Sequence, residues 1–162
     1  MNGFKQYLFS VLSLVFLLFL PACDGGSKKG GPAKVHWDRD MCERCKMVLS
    51  ERKYAAQVVN PRTNKVYEFD DLGCAVLWLS EEKIPWAKEA KIWVTDAKTG
   101  QWLDARTAEY TDDSITPMAY GVAAFSKKTF PKGHKALHFD EVVELIKKIE
   151  AKNNEERGLK QP

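Results

Sequence analysis

Residues 54–79, YAAQVVNPRTNKVYEFDDLGCAVLWL, predict a strand, a turn, a second strand and a helix in direct succession. Residues 54–59 are mostly apolar and have the length of a strand, and the Asn and Pro of residues 60–64 are typical of a turn. Residues 66–69 alternate in polarity. We therefore expect them to pair back on the first strand as a β-hairpin.

The second half of this stretch predicts a helix. Asp70 or Asp71 is its expected N-cap, because Asp before an apolar-periodic run is a typical helix start. Cys74 lies on this helix between apolar neighbours, and we interpret it as a packing residue, since buried Cys behaves as a small hydrophobe. The apolar stripe of the helix consists of Leu72, Ala75, Val76 and Leu79.

The chain beyond residue 79 predicts further strands and one more helix. Asp140 is the expected cap of the final helix, and residues 152–162 are charged and expected to be frayed. This order indicates an α+β fold of two small modules, each with strands around one helix, packed as one compact domain over residues 35–151. The predicted strands are residues 91–94, 102–103, 107–110 and 119–125.

The N-terminus has the features of an export signal. Lys5 precedes an apolar run at residues 7–20, which is shorter than a membrane span and has the length of a signal-peptide core. Leu20-Pro21-Ala22-Cys23 resembles the bacterial lipobox, which implies removal of residues 1–22 and lipidation of Cys23. The alternatives are an ordinary signal peptide with an unmodified Cys, or a short anchor helix. Residues 23–34 are rich in Gly and Lys and are expected to form a flexible tether.

Charge and cysteine content limit the classes of function that the chain could have. The net charge of +3 is small and scattered along the chain, so we expect no nucleic-acid partner. Of the four cysteines, lipidation of Cys23 would leave Cys42, Cys45 and Cys74. An odd number of thiols is unusual in an exported protein, where cysteines normally pair as disulfides. Either one thiol stays free or a metal holds the thiols reduced.

The most informative motif is Cys42-Glu43-Arg44-Cys45-Lys46-Met47, a C-x-x-C followed by a thioether. Thiolate and thioether sulfurs are soft donors that favour Cu(I). If the chain is extended after Cys45, the side chains of Cys45 and Met47 point the same way. A C-x-x-C pair alone is also compatible with a disulfide, half of a zinc site or a redox pair.

Two alternatives to a copper protein follow from this motif. A thiol–disulfide oxidoreductase would use Cys42 and Cys45, but such motifs normally open a helix, whereas residues 46–50 look extended. A structural zinc domain needs four ligands, and three Cys with scattered His give no clear set. Because no Ser-His-Asp arrangement, phosphate loop or carboxylate pair stands out, we expect no enzymatic activity.

The chain resembles the NosL family, the copper-binding lipoproteins encoded with nitrous oxide reductase. The resemblance covers nearly all of the chain after the tether. It departs at Lys46, where family members usually have Gly; we expect Lys46 to be tolerated if the chain is extended there. The motifs that carry it are C-x-x-C-x-M at residues 42–47, FDD at 69–71, LWL at 77–79, TPMAYG at 116–121 and AAF at 123–125.

The resemblance implies a fold of two ββαβ modules and a Cu(I) metallochaperone at the periplasmic face of a bacterial membrane. It implies delivery of copper toward the copper centres of nitrous oxide reductase, with an ABC-type membrane complex as partner. Cys45 and Met47 match the core of the family motif and are the first candidate ligands, followed by Cys42 and Met118.

Several other side chains are weaker candidates. Each His could supply a nitrogen, although a lone His is more often a surface or cap residue, and Asp40 offers a hard oxygen that suits Cu(I) poorly. Trp37 and Trp78 could shield a site from water, or could simply belong to the core. The three histidines are His36, His134 and His138.

Overall fold

A four-stranded antiparallel sheet carries the predicted hairpin at one edge. Its strand order is β2-β1-β3-β4. The hairpin register pairs Ala56 with Phe69, and β3 pairs with the other side of β1. The sheet consists of β1 (Ala56–Val59), β2 (Val66–Phe69), β3 (Lys91–Thr95) and β4 (Trp102–Asp104).

The computed structural model describes residues 29–158. The predicted signal peptide at residues 1–22 and the predicted lipidation site at Cys23 lie outside this range. No helix within the described residues is both long enough and apolar enough to cross a membrane.

The first helix, α1 (Leu72–Glu81), follows directly from the hairpin. Of the two predicted caps, Asp71 is the N-cap, and its carboxylate accepts a hydrogen bond from the Gly73 amide at 2.8 Å. All residues from Leu72 to Leu79 are buried, because α1 packs on β1, on β2 and on the second helix. The helix therefore places its first turn at the end of β2.

The second half of the chain adds a small sheet and a long helix. Strands β5 (Glu109–Thr111) and β6 (Ala123–Phe125) pair with each other, and α2 (Phe139–Glu156) packs against α1. The fold is α+β, as predicted. The unit β1-β2-α1-β3 has the expected ββαβ order. The second half differs in order, because β4 joins the first sheet and α2 follows β5 and β6, with no strand after α2 among residues 29–158.

Three predicted boundaries are corrected by the structure. The strand predicted at residues 119–125 is confined to β6, because Ala119 and Gly121 have positive φ angles of 59° and 76° that break an extended chain. The cap of α2 is His138, not Asp140, and its backbone N–H donates to the Glu141 carboxylate at 2.8 Å. Residues 152–156, expected to be frayed, continue α2, where the i,i+4 pair Lys152 and Glu156 approaches to 3.8 Å.

The predicted tether is also shorter than expected. The Trp93 indole N–H donates to the Gly30 carbonyl at 3.0 Å. The Gln57 side chain accepts from the Ala33 amide at 2.9 Å and donates to the Ala33 carbonyl at 3.2 Å. Because these polar side chains of β1 and β3 need partners, they bind the backbone of residues 30–33 to the sheet.

Candidate metal centre

The loop of residues 38–49, called the metal loop below, is closed by its own backbone hydrogen bonds. The Asp38 amide donates to the Leu49 carbonyl at 2.9 Å, and the Cys42 amide donates to the Met47 carbonyl at 2.8 Å. A β-bridge joins Met41 and Val48 between these two bonds. The Glu43 amide donates to the Glu68 carbonyl at 2.8 Å, which fixes the loop to the edge strand β2.

The backbone at Lys46 is not extended, contrary to the expectation from the sequence. Lys46 has a φ of 61°, in the left-handed region that favours glycine, and its amide donates to the Cys42 carbonyl at 3.0 Å. The tight turn at residues 42–46 requires this conformation. A glycine would adopt this conformation freely, whereas Lys46 adopts it at a conformational cost.

Three thiols and a carboxylate meet beneath the metal loop. The Sγ atoms of Cys42, Cys45 and Cys74 and a carboxylate oxygen of Asp70 all lie within 4.8 Å of one another. All three cysteines are free thiols. Cys42 and Cys74 have no exposed surface, whereas Cys45 is partly exposed. The arrangement supplies three soft sulfurs and one hard oxygen to a single point.

Sequence reasoning placed Cys74 in the core and did not include it or Asp70 among the metal ligands. Cys74 is indeed buried in the core, but its sulfur also faces the metal loop. Asp70 precedes the helix cap, and the Cys45 thiol donates to both of its oxygens at 3.4 Å. The signal that could have identified them is the Asp70–Cys74 spacing of four residues at a helix start, together with the unpaired third cysteine.

The thiols differ in acidity because of their surroundings. A hydrogen bond from Cys74 lowers the pKa of Cys42 to about 7. Burial, reinforced by the neighbouring Cys42, raises the pKa of Cys45 to about 12. The pKa of Cys74 is also raised, because its proton is held in the hydrogen bond to Cys42 and its sulfur is buried. Cys42 is therefore the first of the three to become a thiolate.

The two candidate methionine ligands lie in different surroundings. Met47 is 50% exposed on the outer side of the metal loop. Met118 is partly buried, and its backbone amide donates to the Asp71 carboxylate at 3.3 Å. The late TPMAYG motif therefore folds back onto the start of α1, the helix that carries Cys74.

The TPMAYG motif is held by two further contacts. The Thr116 hydroxyl donates to the Asp71 carboxylate at 2.6 Å, where burial raises the pKa of Asp71. The Tyr120 ring packs so tightly on Gly73 that a Cβ there would lie 2.1 Å from the ring. Asp71 therefore binds the TPMAYG motif through hydrogen bonds, and Gly73 leaves the space in which the Tyr120 ring packs.

The remaining candidates lie outside the cluster of thiols. His36 contacts Asp40 at 3.0 Å, His134 contacts Asp113 at 3.1 Å, and His138 caps α2, so none of the histidines belongs to the cluster. Trp37 packs against the Arg52 guanidinium. Trp78 belongs to an aromatic group with Tyr67, Phe69 and Trp86, with ring centroids 4.6, 5.4 and 6.2 Å from its own.

Comparison with known proteins identifies a solved structure of similar fold and the family of the chain. The fold is similar to the crystal structure of the copper chaperone NosL from Shewanella denitrificans, with a TM-score of 0.53 and 18% sequence identity. The alignment covers 71% of this chain and 96% of that chain. No curated protein sequence matches the chain. The NosL family model matches residues 33–145, well over half of the sequence, and the chain therefore belongs to the NosL family.

Proposed function

We propose that this protein is a copper metallochaperone, which binds Cu(I) through sulfur and passes it on without catalysing a reaction. The observation that carries the proposal is the meeting of free thiols from the C-x-x-C-x-M loop with the thiol of α1 within 4.8 Å. Such soft donors select Cu(I) over hard cations. One solved structure that shares this fold is that of a copper chaperone, which supports the proposal.

The proposed ligands begin with Cys45 and Met47, with Cys42 and Met118 as the further candidates. Cys45 is partly exposed and Met47 is half exposed, so a recipient protein can approach these two donors. Cys42 lies deeper, and the TPMAYG loop brings Met118 to the first turn of α1. This arrangement combines a buried anchor for the ion with an accessible side for its exchange.

The proposed destination is the assembly of the copper centres of nitrous oxide reductase, with an ABC-type membrane complex as partner. Support comes from membership of the NosL family. We further propose that the domain is anchored through lipid at Cys23 to the periplasmic face of a bacterial membrane. A Cys23→Ser variant should then leave the membrane fraction or accumulate as uncleaved precursor. Normal processing with full membrane retention would contradict the anchoring.

Anaerobic metal titration tests the copper proposal directly. The full-length chain, reduced and held in detergent, is titrated with Cu(I) against a competing chelator. We expect one tightly bound Cu(I) per chain, and a large loss of affinity in Cys45→Ser. A reduced and folded chain that takes up Zn(II) but cannot compete for Cu(I) would contradict the proposal.

Zinc is the second candidate cargo, because Asp70 adds a fourth donor to the cluster. The expectation that the chain lacks a four-ligand set is thus wrong: three Cys and one carboxylate converge, and zinc accepts both donor types. The substitution Asp70→Asn separates the two metals. If Cu(I) is the cargo, Cu(I) affinity stays close to that of the wild type, whereas zinc held by Asp70 would be lost.

The thiol–disulfide oxidoreductase alternative has one observation in its favour. The pKa of Cys42, lowered to about 7 by the hydrogen bond from Cys74, gives a thiolate at neutral pH. However, Cys42 has no exposed surface, and the C-x-x-C pair lies in a closed loop and not at a helix start. A substrate disulfide could not reach this sulfur without opening of the loop.

A further inference from the structure

We propose that Cys74 is a third thiolate ligand, so that Cys42, Cys45 and Cys74 hold Cu(I) between the metal loop and helix α1. This inference rests on the proposed copper function and specifies its donor set. It adds a ligand from a different part of the chain to the C-x-x-C-x-M motif. The bound ion would then fasten the metal loop to α1.

The distances fit a three-sulfur site. In a trigonal site with metal–thiolate bonds of about 2.3 Å, the sulfurs lie about 4.0 Å apart. The three Sγ atoms lie within 4.8 Å of one another, so side-chain shifts of less than about 1 Å close the site. Cys42 and Cys45 already face Cys74 across the loop.

The position of Cys74 in α1 suits a thiolate. Cys74 is the third residue of the helix, within the first turn, where the free N–H groups and the helix dipole favour negative charge. Its neighbour Ala75 is fully buried, which keeps water from the deep side of the site. The ion would have water-accessible donors only on the outer side, at Cys45 and Met47.

The cluster also explains why Cys74 lies here as a free thiol. A packing Cys needs no second sulfur beside it, yet the Cys74 Sγ lies within 4.8 Å of the sulfurs of both Cys42 and Cys45. Cu(I) would replace the thiol protons of the three cysteines. The three sulfurs therefore already lie near the positions that a shared Cu(I) ion would require.

The test compares Cys74→Ser with the wild type and with Val76→Ala, in the full-length chain under anaerobic conditions. Val76→Ala removes buried side-chain volume from the same helix without removing a donor, so it controls for lost packing. We expect Cys74→Ser to bind Cu(I) at least about tenfold more weakly, since it loses one ligand, and Val76→Ala to bind normally. Copper should raise the melting temperature of the wild type more than that of Cys74→Ser.

X-ray absorption at the copper edge gives a measurement that keeps Cys74 in place. In a Met47→Leu/Met118→Leu double variant, a copper–sulfur coordination number of three supports the proposal, and a number of two overturns it. Wild-type affinity in folded Cys74→Ser also overturns it, while leaving the copper function intact. A wild-type chain that binds no Cu(I) overturns both.

Discussion

Arg44 donates a hydrogen bond to the Glu150 carboxylate at 2.9 Å, although 106 residues separate the two along the chain. Arg44 lies between the two cysteines of the metal loop, and Glu150 lies near the end of α2. The same guanidinium binds Glu81 of α1 through two bonds of 2.8 Å and the Tyr120 hydroxyl at 3.1 Å. Both helices and the TPMAYG motif therefore hold the metal loop in place through one side chain.

Removal of Arg44 should weaken the whole fold. Arg44→Ala removes the cation beside the Glu150 carboxylate, which keeps only the Tyr120 hydroxyl as a hydrogen-bond partner, and both side chains are mostly buried. We expect a loss of about 2 kcal/mol in the free energy of unfolding, below the value for fully buried pairs because Glu81 is half exposed. Urea denaturation measures it. Lys147→Ala, which breaks an exposed pair on α2, is the control and should cost less than about 0.5 kcal/mol.

Met47→Leu separates copper binding from redox exchange. A thioether takes no part in thiol–disulfide exchange, so a redox pair should tolerate the change, whereas a copper site loses a donor. We expect folded Met47→Leu, checked by circular dichroism, to lose much of its Cu(I) affinity in chelator competition. Met41→Leu changes a similarly exposed thioether of the same loop and should bind normally. Equal affinities for the two variants would remove Met47 from the site.

Gly73→Ala should destabilise the protein, although Ala is the better helix former. The added Cβ would lie 2.1 Å from the Tyr120 ring, and the ring is buried and cannot move freely. We expect a net loss of about 1–3 kcal/mol in the free energy of unfolding, where an open helical position would gain about 1 kcal/mol. In a Tyr120→Ala background the same change should become neutral or stabilising. A gain in the wild-type background would show that the ring does not rest on α1.

Copper affinity should depend on pH, and a plot of the logarithm of the binding constant against pH should change its slope near pH 7. With Cys42, Cys45 and Cys74 as the proposed ligands, binding must displace the protons of Cys45 and Cys74, whose pKa values are raised, at any pH near neutrality. Below the Cys42 pKa of about 7, the Cys42 proton must leave as well. We expect the logarithm of the binding constant to fall by about one additional unit per pH unit there.

Chelator competition across this pH range measures the slope. Cys42→Ser provides the control, because it removes the group with the lowest pKa. The variant should bind more weakly but with a constant slope. If the change of slope near pH 7 is also seen in Cys42→Ser, it must come from the titration of another group.

The parts of the fold that follow from local sequence were predictable. The hairpin depends on a turn at residues 60–64 between two short strands, and α1 depends on Asp71 and on apolar spacing, all within about 25 residues. The metal loop was also predictable, because the C-x-x-C-x-M motif lies within six consecutive residues. The α2 boundaries were less certain, because His138 as a cap is weaker in sequence terms than the Asp140 that follows it.

The contacts that complete the site were not predictable from spacing. Cys74 joins Cys42 only after the hairpin places α1 beneath the metal loop, and an apolar helix face gives no sign of a ligand. The left-handed turn at Lys46 was missed because Lys carries no conformational signal of the kind that Gly does. The hydrogen bond from Arg44 to Glu150 joins residues that are 106 positions apart in the sequence, and it depends on how α1 and α2 pack.

The hydrogen bonds that hold Gly30 and Ala33 to the sheet shorten the reach of the domain. Seven residues lead from Cys23 to Gly30, and such a segment spans at most about 25 Å when fully extended. Under the proposed anchoring, the metal loop would sample only a thin layer of solvent beside the bilayer. Its encounters would then be two-dimensional, with donors and recipients that diffuse in the same membrane at a high effective concentration. A freely soluble enzyme would have to come to that surface to be loaded.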